Sequence, residues 1–362
     1  MTTRKIRVLI VDDSVVIRRL LSDILAQEAD IEVAGIASNG KLALAKLPQI
    51  NPDLVTLDIE MPELDGLETL VELRKTYPKL PVVMFSTLTE RGAGATLDAL
   101  SRGASDYVTK PANVGSVAAG IQSVKDQLIP KIRALCPFSR PVTASTPLAS
   151  RFAPARSAAA PRMRRCDVVV IGSSTGGPQA LAAVLSKLPA DFPAPIVIVQ
   201  HMPPVFTAHL ADRLNQCGRL EVAEAHGDEA LRPGQVLIAP GNFHLELRRH
   251  GNEVKTVLQQ GPPENSCRPA VDVLFRSAAE VYGAGCTGVV LTGMGQDGLR
   301  GSQHIVQVGG DVIAQSEATC VVWGMPRAVT EAGCARAVRA LDDISSELVR
   351  TAAVGRRPAA MC

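Results

Sequence analysis

Along the first third of the chain, short apolar runs alternate with amphipathic stretches. Ile6–Val11, Glu32–Ala37, Asp53–Leu57, Val82–Ser86 and Asp106–Thr109 have the length and apolar content of buried strands. The stretches between them have helical spacing. In the first, Val16, Leu20 and Ile24 form one apolar row, and Ile17, Leu21 and Leu25 form the adjoining one. Such β–α alternation predicts a parallel, doubly wound sheet. The pattern then breaks over residues 136–165, which hold five Pro, seven Ala, four Ser and six Arg and no acid. Neither period survives there, so the stretch reads as a semi-extended tether.

The alternation resumes beyond it. Asp167–Ile171, Ile196–Val199 and Gly288–Leu291 are strand-like, and Pro178–Lys187, Phe206–Asn215, Val271–Val281 and Leu299–Val308 are helical. Residues 220–260 read as short strands joined by turns at Arg232–Gly234 and Arg249–Asn252. A second α/β unit is expected, and 362 residues is a length that suits two domains.

Composition narrows the function. The chain has 38 Lys and Arg against 36 Asp and Glu, a net charge of +2, which gives no general attraction to nucleic acid or to a membrane surface. Aromatic residues are 3% of the chain, too few for platforms that stack on single strands. No apolar run reaches the roughly 18 residues that span a bilayer, and the start of the chain lacks a signal-peptide core. A cytoplasmic, monomeric protein without membrane insertion is expected. Eight cysteines are scattered without metal-binding spacing and are expected to stand outside the chemistry.

Two groups of polar residues gather at predicted strand ends. In the first unit Asp12 and Asp13 follow the first strand, Asp58 follows the third, Ser86 closes the fourth, and Lys110 follows the fifth. In a parallel sheet these ends share one edge. Three carboxylates suit a hard Mg2+ ion, and a lysine opposite suits an incoming phosphoryl group. In the second unit the strand at Asp167–Ile171 runs into Gly172–Pro178, a small glycine-rich turn opening a helix. Its Gly172-x-Ser174-x-Gly176 spacing resembles a nucleophile elbow. His201 ends the next strand and Asp297 lies beyond a third, so a Ser174, His201, Asp297 set is a candidate for acyl transfer. A competing reading uses Gly293, Gly295 and Gly298, whose spacing matches a dinucleotide fingerprint, with Glu317 further on.

Over roughly residues 4–127 the chain resembles response-regulator receiver domains, through Val11–Ser14, Leu57–Gly66, Met84–Thr87 and Asp106–Pro111. The resemblance implies a flavodoxin-like (βα)5 fold and phosphorylation of Asp58 by a histidine kinase. It also implies Mg2+ held by Asp12, Asp13 and Asp58 with the backbone carbonyl of Glu60, contacts from Ser86 and Lys110 to the phosphoryl group, and Tyr107 as the switch aromatic. Residues 166–349 resemble the chemotaxis protein-glutamate methylesterases, through Ile171–Pro178, Val199–Pro203, Ile238–Gly241, Arg268–Phe275, Leu291–Gly298 and Gly324–Arg327. That family implies a doubly wound α/β domain without a cofactor and a triad of Ser174, His201 and Asp297 flanked by Thr175 and Met294. Its substrates would be methyl-esterified glutamates, and certain glutamines, of chemoreceptors. The expected division is a receiver over 1–127, a linker over 128–165, a catalytic domain over 166–352 and a tail over 353–362. The stretch Gly261–Cys267 departs from the family pattern, as does Trp323, and both are expected to leave the triad untouched.

Overall fold

The computed structural model describes residues 4–111, 117–137 and 166–353. The first sheet is built from β1 (Ile6–Val11), β2 (Ile31–Ala37), β3 (Leu54–Asp58), β4 (Val82–Ser86) and β5 (Asp106–Thr109). Its order is β2-β1-β3-β4-β5 and every pairing is parallel. Helices α1 (Val15–Ala26), α2 (Gly40–Ile50), α3 (Gly66–Thr76), α4 (Glu90–Ser101) and α5 (Val117–Leu135) cover the two faces. Side chains start several of these helices: Ser14 caps α1, Asn39 caps α2, and Asp65 with Glu68 forms a capping box on α3. In α1 the buried residues are Leu21, Ile24 and Leu25, whereas Val16, in the first turn, is exposed. The boundary drawn at residue 127 falls inside α5, where Leu128, Ile129 and Ile132 are buried in the core beside β1 and β3. The tether from residue 138 to 165 and the tail from 354 lie outside the described residues.

The second sheet has seven parallel strands in the order β14-β13-β12-β6-β7-β9-β8. They are β6 (Val168–Ser173), β7 (Ile196–Gln200), β8 (Glu221–Glu224), β9 (Gln235–Ile238), β12 (Cys286–Val290), β13 (Asp311–Gln315) and β14 (Ala337–Arg339). A separate antiparallel hairpin pairs β10 (His244–His250) with β11 (Glu253–Gln259). The helices are α6 (Gly177–Leu185), α7 (Phe206–Cys217), α8 (Val271–Tyr282), α9 (Leu299–Gln307), α10 (Met325–Glu331) and α11 (Leu341–Ala353). β6 and β7 are buried along their whole length, as strands covered on both faces should be. The chain order reverses at β6, so the loops after β6, β7 and β12 meet at one sheet edge, where a doubly wound fold forms its crevice.

The two units pack directly on each other. Ala93, Leu97 and Leu100 of α4 and Tyr107 of β5 belong to the same continuous apolar cluster as Met202, Phe206 and Leu210 around α7. The Tyr107 ring stacks on Phe206, with centroids 4.9 Å apart and planes 7° from parallel. Polar contacts fix the register: Arg213 pairs with Asp98 at 2.7 Å, and Gln179 Nε2 donates to the carbonyls of Leu100 and Ala104, each at 2.9 Å.

Candidate functional site

The acidic edge of the first sheet gathers its expected residues. One ligand atom each from Asp12, Asp13 and Asp58 lies within 4.8 Å of the others. Lys110 Nζ stands 2.8 Å from Asp58 Oδ1 and 3.4 Å from Asp12 Oδ2. The other Asp58 oxygen and Asp12 Oδ2 are buried without a hydrogen-bond partner. Buried carboxylate oxygens left open at a three-acid cluster are what a hard cation with oxygen ligands would complete, so this donor set fits Mg2+. Burial pushes Asp58 up to about 6, because the hydrogen bond and charge of Lys110 do not offset desolvation and the Asp12 charge. Lys110 itself is raised: burial would lower it, but Asp58 and Asp12 hold its proton.

Other expected members of that pocket face elsewhere. The Ser86 hydroxyl donates to the Gly92 carbonyl of α4 at 3.1 Å. Glu60 is expected to act through its backbone carbonyl, and its side chain is exposed, 3.7 Å from Arg91. Tyr107 is turned onto Phe206, as described above. Arg18, which the sequence did not single out, donates to the carbonyls of Asp12 and Asp13 at 2.7 and 2.8 Å and braces the acidic loop.

At the edge of the second sheet, Ser174 follows β6 directly. Gly176 has φ +76°, and a Cβ there would lie 2.6 Å from Val321, so this turn requires glycine. Ser174 N–H donates to the Thr292 carbonyl at 3.0 Å, tying the turn to the loop after β12. In that loop a Cβ on Gly293 would come within 2.9 Å of Ser174 Cβ and 2.4 Å of Met325 Sδ, so glycine is needed for close packing beneath Ser174. Gln200 supports the same turn: it accepts from Ser173 Oγ at 2.7 Å and donates to the Ser174 carbonyl at 3.0 Å.

His201 and Asp297 are joined, with Nε2 2.8 Å from Oδ2. Asp297 is 2% exposed and is held from several sides. Val271 N–H donates to Oδ2 at 2.7 Å, Asp272 and Gly298 N–H donate to Oδ1 at 3.0 Å, and Asn265 Nδ2 donates to Oδ1 at 2.9 Å. The start of α8 is therefore occupied by this chain's own carboxylate. The same carboxylate fills the turn that carries the dinucleotide-like glycines. Burial would raise Asp297, yet His201 and the Val271 and Asp272 N–H groups bring it below its ordinary value. Burial would lower His201, but Asp297 and Cys267 raise it to about 10.

Two contacts correct the expectation that Gly261–Cys267 leaves the triad alone. The stretch connects β11 to α8 and folds back over the loop after β12. Asn265 thereby reaches Asp297, and Cys267 Sγ lies 3.5 Å from His201 Nδ1. Cys267, expected to stand apart with the other cysteines, thus lies against the His201 ring. Ser174 lines the same cavity as His201, but among the described residues its hydroxyl has no hydrogen bond to the imidazole. Thr175 is buried and donates from Oγ1 to Asp106 Oδ2 at 2.5 Å, while Met294 sits half-buried in the loop before Asp297.

The first unit closes over this edge. Leu100, Asp106, Tyr107 and Lys131 complete the lining of the cavity that Ser174 and His201 share. Its volume is about 20 Å³, room for one water and no side chain. Lys131 braces the cover, 3.0 Å from Asp106 Oδ1 and over the Tyr107 ring at 4.9 Å.

Residues 8–122 match the response regulator receiver domain family, and residues 169–348 match the CheB methylesterase family. This chain belongs to the CheB methylesterase family. A protein-glutamate methylesterase/protein-glutamine glutaminase of Trichodesmium erythraeum is 52% identical over 96% of this chain and 99% of its own. A relative of the same name from a Nocardioides species is 53% identical over 95% of each chain. The Thermotoga maritima CheB methylesterase catalytic domain superposes with a TM-score of 0.51 at 47% identity, covering 51% of this chain and 98% of that one. The chain is thus a receiver domain followed by a CheB methylesterase domain. Among the described residues no helix is long and apolar enough to cross a membrane.

Proposed function

We propose that the chain is a phosphorylation-activated protein-glutamate methylesterase and protein-glutamine glutaminase acting on chemoreceptors, with a histidine kinase as phosphodonor. The observation that carries this is the His201–Asp297 pair at the sheet edge that bears Ser174, beneath a cover supplied by the receiver. Ser174 Oγ attacks the ester carbonyl and its proton goes to His201. Asp297 keeps Nε2 protonated, so Nδ1 is the nitrogen that accepts, in the fraction of molecules whose ring is neutral, which grows as pH rises toward about 10. Ser174 and Gly177 N–H groups are already engaged and Pro178 has none. The oxyanion therefore falls to the N–H groups of Thr175, Gly176 and Met294. Methanol leaves, and water releases the glutamate. For a glutamine side chain the leaving group is ammonia.

Control runs from Asp58 to the cover. Asp12, Asp13, Asp58 and the Glu60 carbonyl would hold Mg2+, which would supply charge neutralisation for the transferred phosphoryl group. A phosphoryl group on Asp58 draws Lys110 and the Ser86 hydroxyl, and Ser86 then leaves the Gly92 carbonyl of α4. α4 carries Asp98 and Leu100, and β5 carries Asp106 and Tyr107, so a shift of these elements loosens the contacts to Arg213, Gln179, Thr175 and Phe206. The population moves from covered to open. We assign the receiver to 1–136, since α5 and Cys136 belong to its core, the linker to 137–165, the catalytic domain to 166–352 and the tail to 353–362. The protein works as a cytoplasmic monomer.

The test is methanol release from membranes carrying methylated receptors, with and without Mg2+ and a small phosphodonor. Wild type should release methanol and be stimulated by the phosphodonor, and a folded Ser174→Ala variant should release none. Full activity in that variant would remove Ser174 from the mechanism.

A further inference from the structure

His201 has two ring nitrogens and both are engaged. The Asp297 carboxylate can only accept, so the proton facing it belongs to Nε2. The other nitrogen, Nδ1, faces the Cys267 sulfur at 3.5 Å, so a proton can be shared between sulfur and Nδ1. Cys267, His201 and Asp297 form a continuous Cys–His–Asp relay, held together by Asn265 on Asp297 and by backbone hydrogen bonds in both directions between Glu264 and Cys267. The thiol thus sits at the nitrogen that Ser174 requires. Other described cysteines differ. Burial raises Cys136, Cys166, Cys286, Cys320 and Cys334, and Cys217 is exposed. Cys267 is partly exposed and is not part of the lining of the receiver-covered cavity.

We propose that Cys267 is an oxidisable modification site, activated by the His201–Asp297 pair, and that its reaction with a peroxide shuts off acyl transfer at Ser174. The thiol proton passes to Nδ1 and the sulfur attacks one peroxide oxygen. The O–O bond breaks, and the departing hydroxide takes the proton from Nδ1 and leaves as water. Sulfur is oxidised by two electrons to a sulfenic acid, and hydrogen peroxide is reduced by two. The new S–OH donates to Nδ1 and denies it to Ser174. The effect on turnover rests on the esterase reading above, but the reactivity of the thiol does not.

Two measurements on the full chain test this. In the first, carbamidomethylation by iodoacetamide is followed residue by residue by peptide mass spectrometry near pH 7. Cys267 should react several-fold faster than exposed Cys217, because Nδ1 of His201 lies beside its sulfur to take up the thiol proton. His201→Gln should remove that advantage. A Cys267 rate no higher than that of Cys217, or one unchanged by His201→Gln, would overturn the proposal. In the second, methanol release is measured after brief hydrogen peroxide treatment and again after dithiothreitol. Wild type should lose most of its activity and recover it with the thiol reagent. Cys267→Ser, or Cys267→Ala if the serine variant fails to fold, should keep its own untreated rate. An equal loss in these variants would refute Cys267 as the target. Fast, His201-dependent labelling in a protein that releases no methanol even untreated would sink the esterase reading and leave the thiol assignment standing.

Discussion

Asp58 and Asp297 occupy matching places in two parallel sheets and have opposite electrostatics. Each stands at the carboxyl edge, one at the end of β3 and one in the loop after β12, and each is 2% exposed. Asp58 has Lys110 on one oxygen and nothing on the other, and its pKa rises to about 6. Asp297 receives hydrogen bonds from His201, Asn265 and the N–H groups of Val271, Asp272 and Gly298, and its pKa falls. Burial acts alike on both, so the donors and the sign of the neighbouring charge, Asp12 beside one and His201 beside the other, decide the direction. The open carboxylate can take a cation or a phosphoryl group. The saturated one has no free oxygen for a ligand and can only orient and charge-stabilise the imidazole.

The largest effect expected from breaking this contrast is at the saturated site. Asp297→Asn keeps the shape but places an amide where Nε2–H needs an acceptor. Methanol release should fall about 10³- to 10⁴-fold, with the fold retained by circular dichroism. A variant within tenfold of wild type would show that Asp297 is not the orienting group. At the open site, Mg2+ should raise the melting temperature of wild type, with a stabilisation of roughly 1.4 kcal/mol at ten times the dissociation constant. Asp58→Asn should weaken that shift and abolish stimulation by a phosphodonor. A phosphodonor response that persists in the variant would place the phosphorylated residue elsewhere.

A smaller effect is expected where the two units touch. The Arg213–Asp98 pair is partly solvent-exposed, so its loss is worth about 0.2–1 kcal/mol. If it holds the cover, Arg213→Ala and Asp98→Ala should each raise unphosphorylated activity by roughly one and a half- to fivefold, on the same scale of energies. The double variant should rise no further than either single one, because both remove one contact. Unchanged or lower basal rates would show that this contact does not hold the closed state.

Much of this was legible in the sequence, because period and strand-end chemistry are local. The apolar runs located β1, β4 and β5, and the parallel geometry then put Asp12, Asp13, Asp58 and Lys110 on one edge. Ser174, His201 and Asp297 followed by the same reasoning. What stayed hidden depends on how separate segments meet. Asn265 and Cys267 reach the pair of His201 and Asp297 because the β11–α8 connection folds back, and nothing in its spacing announces that. The one available signal was its departure from the family pattern. Asp106 opens the Asp106–Pro111 motif, but its bond to Thr175 exists only because two domains pack. Val16 fitted an apolar row yet is exposed, since spacing does not say which turn of a helix overlies the sheet.

The finest test of the contrast is the pH dependence of folding stability, measured in EDTA so that no cation occupies the acidic edge. Asp58 has a folded pKa raised from 3.8 to about 6, so its contribution is fully present below 3.8 and is lost as pH rises through about 6. Asp297 has a lowered pKa, so its contribution is present above 3.8 and is lost as pH falls through the folded value. His201 is raised from 6.5 to about 10, so its contribution is full below 6.5 and disappears as pH rises through about 10. Urea midpoints of wild type minus Asp58→Asn should therefore decline between about pH 4 and 6. Wild type minus Asp297→Asn should decline toward acid instead. Wild type minus His201→Gln should be level below pH 6.5 and decline toward pH 10. Parallel curves for Asp58→Asn and Asp297→Asn would mean that burial, not the donors and the neighbouring charge, governs both carboxylates.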